Sequence, residues 1–236
     1  MSKTSKVLLA ASGIITILGI FRQPPDTMLL IYSVFILVLL FRKKFSALVD
    51  KVHLSTELKF LFLMVASGLL VEVLAWMSNY LARQPKPALL HPQLIPDLIL
   101  GVGVYSGLAV AWLFAFRYWR FSLASVFLVS GIFGIFAEQS GVVFANIVRG
   151  FYTDPFTVVF SALYILVVYG SFPGVAYLAV GERLNHPKYR DTPLKYPVIW
   201  ILQFLMSYPT TAIITILASL MRFIPQARPI WEHPFF

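Results

Sequence analysis

Long apolar runs separated by short basic loops predict a chain of helices made to sit in lipid. Seven runs stand out, at 7–21, 27–41, 60–80, 95–116, 121–144, 156–180 and 197–221. The last five are long enough to cross a hydrocarbon core about 30 Å thick at about 1.5 Å per residue. The first two would reach only about 22 Å each, and the tight turn Arg22-Gln23-Pro24-Pro25-Asp26 joins them. They read either as crossings of a thinned bilayer or as a re-entrant hairpin; both return the chain to its starting side. No run shows barrel-type alternation, and backbone amides in lipid must be satisfied within their own segment, so helices are expected. The predicted fold is an all-α polytopic membrane protein with seven hydrophobic helices. Its expected parts are a short helical hairpin over 1–44, a cytoplasmic linker over 45–59, a five-helix bundle over 60–222 and an extracytoplasmic tail over 223–236.

Composition agrees. Only 12% of the 236 residues are charged, about half of what a soluble domain uses to hold water at its surface. Mean hydropathy is +0.81, and the 21 Phe suit a surface facing lipid. The net charge of +9 points to anionic headgroups rather than nucleic acid, because the basic residues lie in loops between apolar runs. Of the 19 Lys and Arg, all but Arg22, Arg83, Lys86, Arg149, Arg222 and Arg228 fall inside when the N-terminus is cytoplasmic. Lys188 and Arg190 are among those inside, and the bias predicts N-in, C-out in a multi-pass protein of the cell membrane. Lys3 and Lys6 before the first run resemble a signal-peptide start, but Ile20-Phe21-Arg22-Gln23 offers no small-x-small cleavage site, so retention is expected. The absence of cysteine removes disulfides and thiolate chemistry. His53, His91, His186 and His233 lie in loops or the tail without metal spacing, so no metal or other cofactor is expected.

The informative residues are polar ones inside the apolar runs. Glu72 lies in the third, Asp97 opens the fourth, and Glu138 with Gln139 lies in the fifth. A carboxylate in the bilayer costs at least a few kcal/mol and normally turns inward to find partners. The predicted topology puts all three acids in the outer half, with Asn79 and Asn146 further out. Helical spacing groups Gly68, Glu72, Trp76 and Asn79 on one stripe, Asp97, Gly101 and Tyr105 on another, and Gly134, Glu138 and Gly141 on a third. A glycine one turn from each acid allows close helix approach, and Gly103 and Gly107 add a GxxxG spacing. The third, fourth and fifth helices are therefore expected to pack together around an acidic pocket. Glue between helices explains the same residues without a ligand. Gly170, Pro173, Gly174 and Pro209 mark breaks in the last two helices. Glu72 with Asn79 and Glu138 with Asn146 form an inexact echo, which a two-helix duplication would explain.

The acid in the third run, the proline-bearing loop and Pro96-Asp97 opening the fourth resemble the membrane-embedded carotenoid cyclases and hydratases. That resemblance implies proton-driven chemistry on polyenes by acidic residues. It departs at Pro96-Asp97-Leu98, which holds one acid where those families have two.

Three functions follow as expectations. One is an outer-half pocket acting on a lipid or isoprenoid-like ligand, with Glu72 and Glu138 as acid and base. Asp97, Tyr105, Asn79, Gln139, Asn146 and Trp76 would then bind or orient the ligand. The second is a non-catalytic subunit held by a membrane-protein partner. The third is a small proton-coupled transporter.

Overall fold

The computed structural model describes residues 3–85, 87, 89–185 and 192–236; Lys86, His186, Lys188 and Arg190 of the sequence argument lie outside them. The helices are α1 (Lys3–Phe21), α2 (Leu30–Leu40), α3 (Arg42–Asp50), α4 (Thr56–Leu81), α5 (Leu94–Tyr118), α6 (Leu123–Ala137), α7 (Val142–Gly150), α8 (Pro155–Ala176), α9 (Glu182–Leu184) and α10 (Lys195–Leu220). No strand occurs among the described residues. Capping side chains start several of them. Ser55 accepts from Leu58 N at 3.3 Å and Ser122 from Ser125 N at 3.1 Å. Asp154 accepts from Thr157 N at 3.1 Å with Pro155 in the first turn.

Five segments are long and apolar enough to cross a membrane: Thr56–Leu81, Leu94–Tyr118, Leu123–Gly150, Pro155–Leu184 and Lys195–Leu220. With large apolar side chains such as Phe156, Phe160, Leu205, Ile213 and Ile216 exposed on them, these segments mark an integral membrane protein. The five form a closed ring, in the order α4, α5, α10, α6, α8 and back to α4. Glycines set the neighbours. A Cβ at Gly103 would lie 2.7 Å from Thr211 Cα, and one at Gly107 2.5 Å from Ser207 Cα. The GxxxG groove of α5 is thus filled by α10. Gly131 and Gly170 bring α6 onto α8 in the same way, with added Cβ atoms 2.6 Å from Leu166 O and 2.7 Å from Phe127 O. Ser67 Oγ donates to Phe172 O at 3.0 Å and joins α4 to α8. Phe133 and Phe204, with centroids 4.6 Å apart, join α6 to α10.

This arrangement corrects the expectation that the third, fourth and fifth runs pack together. α5 and α6 meet through side chains, as where Trp112 Nε1 donates to Ser130 Oγ at 3.1 Å, because α10 occupies the small-residue face of α5. The fifth run is also not one straight helix. Gln139 (φ 50°), Ser140 (φ 55°) and Gly141 (φ 89°) are all left-handed, and the turn brings Phe144 back onto Phe136 at a centroid distance of 4.3 Å. Eight positions along an unbroken helix would separate those rings by about 12 Å. Most of α3 lies within the 45–59 linker. Beyond Pro173 and Gly174, α8 loosens into a π turn over Tyr177–Gly181.

α1 and α2 form a hairpin against α8, where Phe35 packs on Gly174. Its turn sits beside α4 and α8: Thr27 Oγ1 bonds Leu74 O, and Tyr164 Oη donates to Asp26 Oδ1 at 2.9 Å. At one end of the ring, Arg42 pairs with Glu182 and Asp50 with Arg183. At the other, residues 222–236 fold back over the α4–α5 loop.

Candidate functional site

A cavity of about 590 Å³ lies inside the ring, and all five helices line it. α4 supplies Glu72, α5 Tyr105, α6 Phe133 with Glu138 just past its end, α8 Tyr169 and α10 Tyr208 with Thr211. Two glutamate–tyrosine pairs face it. Tyr105 Oη donates to Glu72 Oε1 at 2.6 Å, and Tyr169 Oη donates to Glu138 Oε2 at 2.6 Å. Each tyrosine lies over a glycine one turn before its glutamate. A Cβ at Gly68 would be 2.1 Å from Tyr105 Cδ1, and one at Gly134 2.2 Å from Tyr169 Cγ. The glycine lets the phenol cross to its neighbour helix and reach the acid. Measured by helical rise, all four polar groups stand about 20–24 Å from the α3 end of their spanning segments, Tyr169 being counted from Leu184.

The same unit therefore occurs twice: glycine, glutamate four residues on, and a tyrosine 33 or 31 residues beyond the acid. Comparison with known proteins found no family model, curated protein or solved structure that this chain matches. The geometry alone therefore carries the functional reading.

Asp97, near enough to Glu72 to act on it electrostatically, does not itself line the cavity. It is 0% exposed; His91 N donates to its Oδ1 at 2.9 Å, and its Oδ2 has no partner. Gln139 and Ser140, in the left-handed turn, line the cavity and are themselves exposed, as is Tyr208 across from them. Exposed lining thus lies along the seam between the α6–α7 break and α10, and Leu90 of the α4–α5 loop adds exposed lining at that end. Non-helical backbone at membrane depth is tolerated where it lines such a cavity.

Three residues expected near the acids lie elsewhere. Trp76 is stacked between Tyr80 (5.1 Å) and Phe235 (5.9 Å), and its Nε1 donates to Pro92 O at 3.2 Å. Asn79 donates to Ala75 O at 2.8 Å and lines a separate recess with Arg22 and Asp26. Asn146 is exposed on α7. Sequence reasoning missed Tyr169, Tyr208, Ser207, Phe133 and Met28, all of which line the cavity. Tyr169 had a signal, since its spacing from Glu138 nearly repeats that of Tyr105 from Glu72. Among the described residues no group of three or more His, Cys, Asp or Glu is placed to hold a metal.

Proposed function

We propose that this is a multi-pass protein of the cell membrane, N-terminus in and C-terminus out, whose cavity binds and acts on an apolar, lipid-like ligand in the outer half of the bilayer. The carrying observation is the pair of glutamate–tyrosine units facing one cavity. Its volume falls within the roughly 300–1,000 Å³ typical of small-molecule sites. Glu72 and Glu138 serve as acid and base, and Tyr105 and Tyr169 hold their carboxyls in place and supply a second proton donor each. The exposed lining along the α6–α10 seam suits a ligand that arrives through lipid. The orientation is supported by the basic residues Arg42, Lys43, Lys44, Arg117 and Arg120 at the end opposite the cavity. On that reading α1 and α2 add two crossings to the five.

Native mass spectrometry with an absorbance scan, on protein extracted in mild detergent, tests this directly. The expected result is a retained lipid, isoprenoid or pigment that is lost in Glu72→Gln and Glu138→Gln. A protein partner with no small molecule, unchanged by either substitution, would instead make the chain a subunit and the carboxyls helix glue. The α6 break and Pro209 in α10 favour transport as a second reading. It predicts proteoliposome uptake that responds to a pH gradient and is lost in Glu138→Gln.

A further inference from the structure

The cavity gathers acidic groups that no basic residue among its described lining offsets. Glu72 and Glu138 line it from different helices, and Asp97 lies near Glu72. Among the described residues each glutamate takes one hydrogen bond, from its tyrosine. Asp97 Oδ2, fully buried, takes none among the described residues. No Lys, Arg or His is among the described residues that line the cavity. The acids at the opposite end are treated differently, since Glu182 and Asp50 each have an arginine.

The walls fit the same partner. Tyr105, Tyr169, Tyr208 and Phe133 line the space, and aromatic faces attract cations, most strongly where water is excluded. A phosphate or carboxylate headgroup would meet acidic side chains and no basic one among the described lining. A neutral alcohol would leave the carboxyls without a counter-charge. An ammonium between Glu72 and Glu138 would supply it, with its apolar body extending toward the exposed seam beside Tyr208.

Resting on the ligand-cavity reading above, we infer that the ligand is a cationic amphiphile: a protonated or quaternary amine on an apolar body, its charge held by Glu72 and Glu138 and faced by Tyr105 and Tyr169.

Melting of the purified protein in a neutral maltoside detergent, titrated with decyltrimethylammonium, decanol or decyl sulfate, tests the charge preference at fixed chain length. The ammonium should stabilise the wild type at lower concentration than either other probe. Its midpoint should rise at least about tenfold in Glu72→Gln/Glu138→Gln. If that double variant does not fold, Glu138→Gln alone should show the rise, because it leaves Glu72 and its bond from Tyr105 intact. Equal response to decanol would overturn the cation and leave an apolar-ligand cavity standing. An ammonium midpoint unchanged in the variants would also overturn it. No response to any probe would count against both the cation and the cavity reading.

Discussion

An alanine at Gly68 would put a methyl group where the Tyr105 ring now lies. Its Cβ would sit 2.1 Å from Cδ1 and 2.2 Å from Cγ of that ring. Non-bonded carbons approach to about 3.5 Å, so the ring must retreat by about 1.4 Å. Tyr105 is 3% exposed, and Phe172 meets it edge-on at 5.2 Å, so retreat disturbs a packed neighbour. The same displacement along the 2.6 Å bond to Glu72 would stretch it to about 4 Å, outside hydrogen-bonding range. Overpacking costs about 1–3 kcal/mol, and losing a bond to a buried carboxyl costs a similar amount. Replacing a helical glycine returns about 0.5–1 kcal/mol. The net expectation is a loss of about 1–5 kcal/mol, read as a fall in melting temperature in mild detergent. Gly13→Ala is the control: its Cβ would meet nothing within 4 Å, so it should melt with the wild type or slightly above. Tyr105→Phe removes the bond without moving the ring, so Gly68→Ala should cost less in that background. If Gly68→Ala melts like the wild type, or costs the same in both backgrounds, the glycine is not what seats the tyrosine on the acid.

Other sites offer independent checks. Gln93 is 0% exposed, and its Nε2 donates to Arg228 O and His233 O, each at 2.9 Å. Gln93→Ala should cost about 1–3 kcal/mol and increase proteolysis of the tail; an unchanged digest would count against the docking. Gly107→Leu should separate α5 from α10 and abolish folding, which loss of the monodisperse peak in size-exclusion chromatography would report. At the α3 end, the hydrogen bond from Arg183 holds the Asp50 carboxyl below its usual value of 3.8. A depressed carboxyl stabilises the fold above its unfolded pKa and loses that contribution as pH falls through the lower folded value. Asp50→Asn should therefore lower the melting temperature slightly at pH 7 and converge with the wild type once pH falls through the depressed folded value. The effect is small because both partners are exposed, and a gap that persisted in acid would rule the pair out as its source.

The spanning helices were legible because lipid demands long apolar segments, and the five expected runs coincide closely with the five candidate spans. Their neighbours were not legible. Periodicity places Gly103 and Gly107 on one face of α5 but does not say whether α6 or α10 fills that groove. The break in the fifth run did carry a signal: Glu138-Gln139-Ser140-Gly141 is four non-apolar residues in a row inside an apolar stretch. Reading the run by its average hydropathy concealed it. For the candidate site, the acids were found because a carboxyl in lipid is conspicuous. Tyr169 was overlooked because a tyrosine in an aromatic-rich run is not; only its hydrogen bond to Glu138 sets it apart. Trp76 shared a stripe with Glu72, but a helical stripe several turns long crosses different neighbours, and Trp76 had passed the cavity to meet the tail.

The docking of Gln93 also imposes an order on synthesis. Its acceptors, Arg228 O and His233 O, lie 135 and 140 residues downstream, and Leu94 and Ile95 likewise donate to Pro234 O and Phe235 O. A ribosome adding about 5–20 residues per second leaves that helix start without these partners for roughly 7–28 seconds after it is made. During that interval the α4–α5 hairpin must be held by water or by the insertion machinery. A stalled or shortened chain would present those unpaired amides for quality control to read.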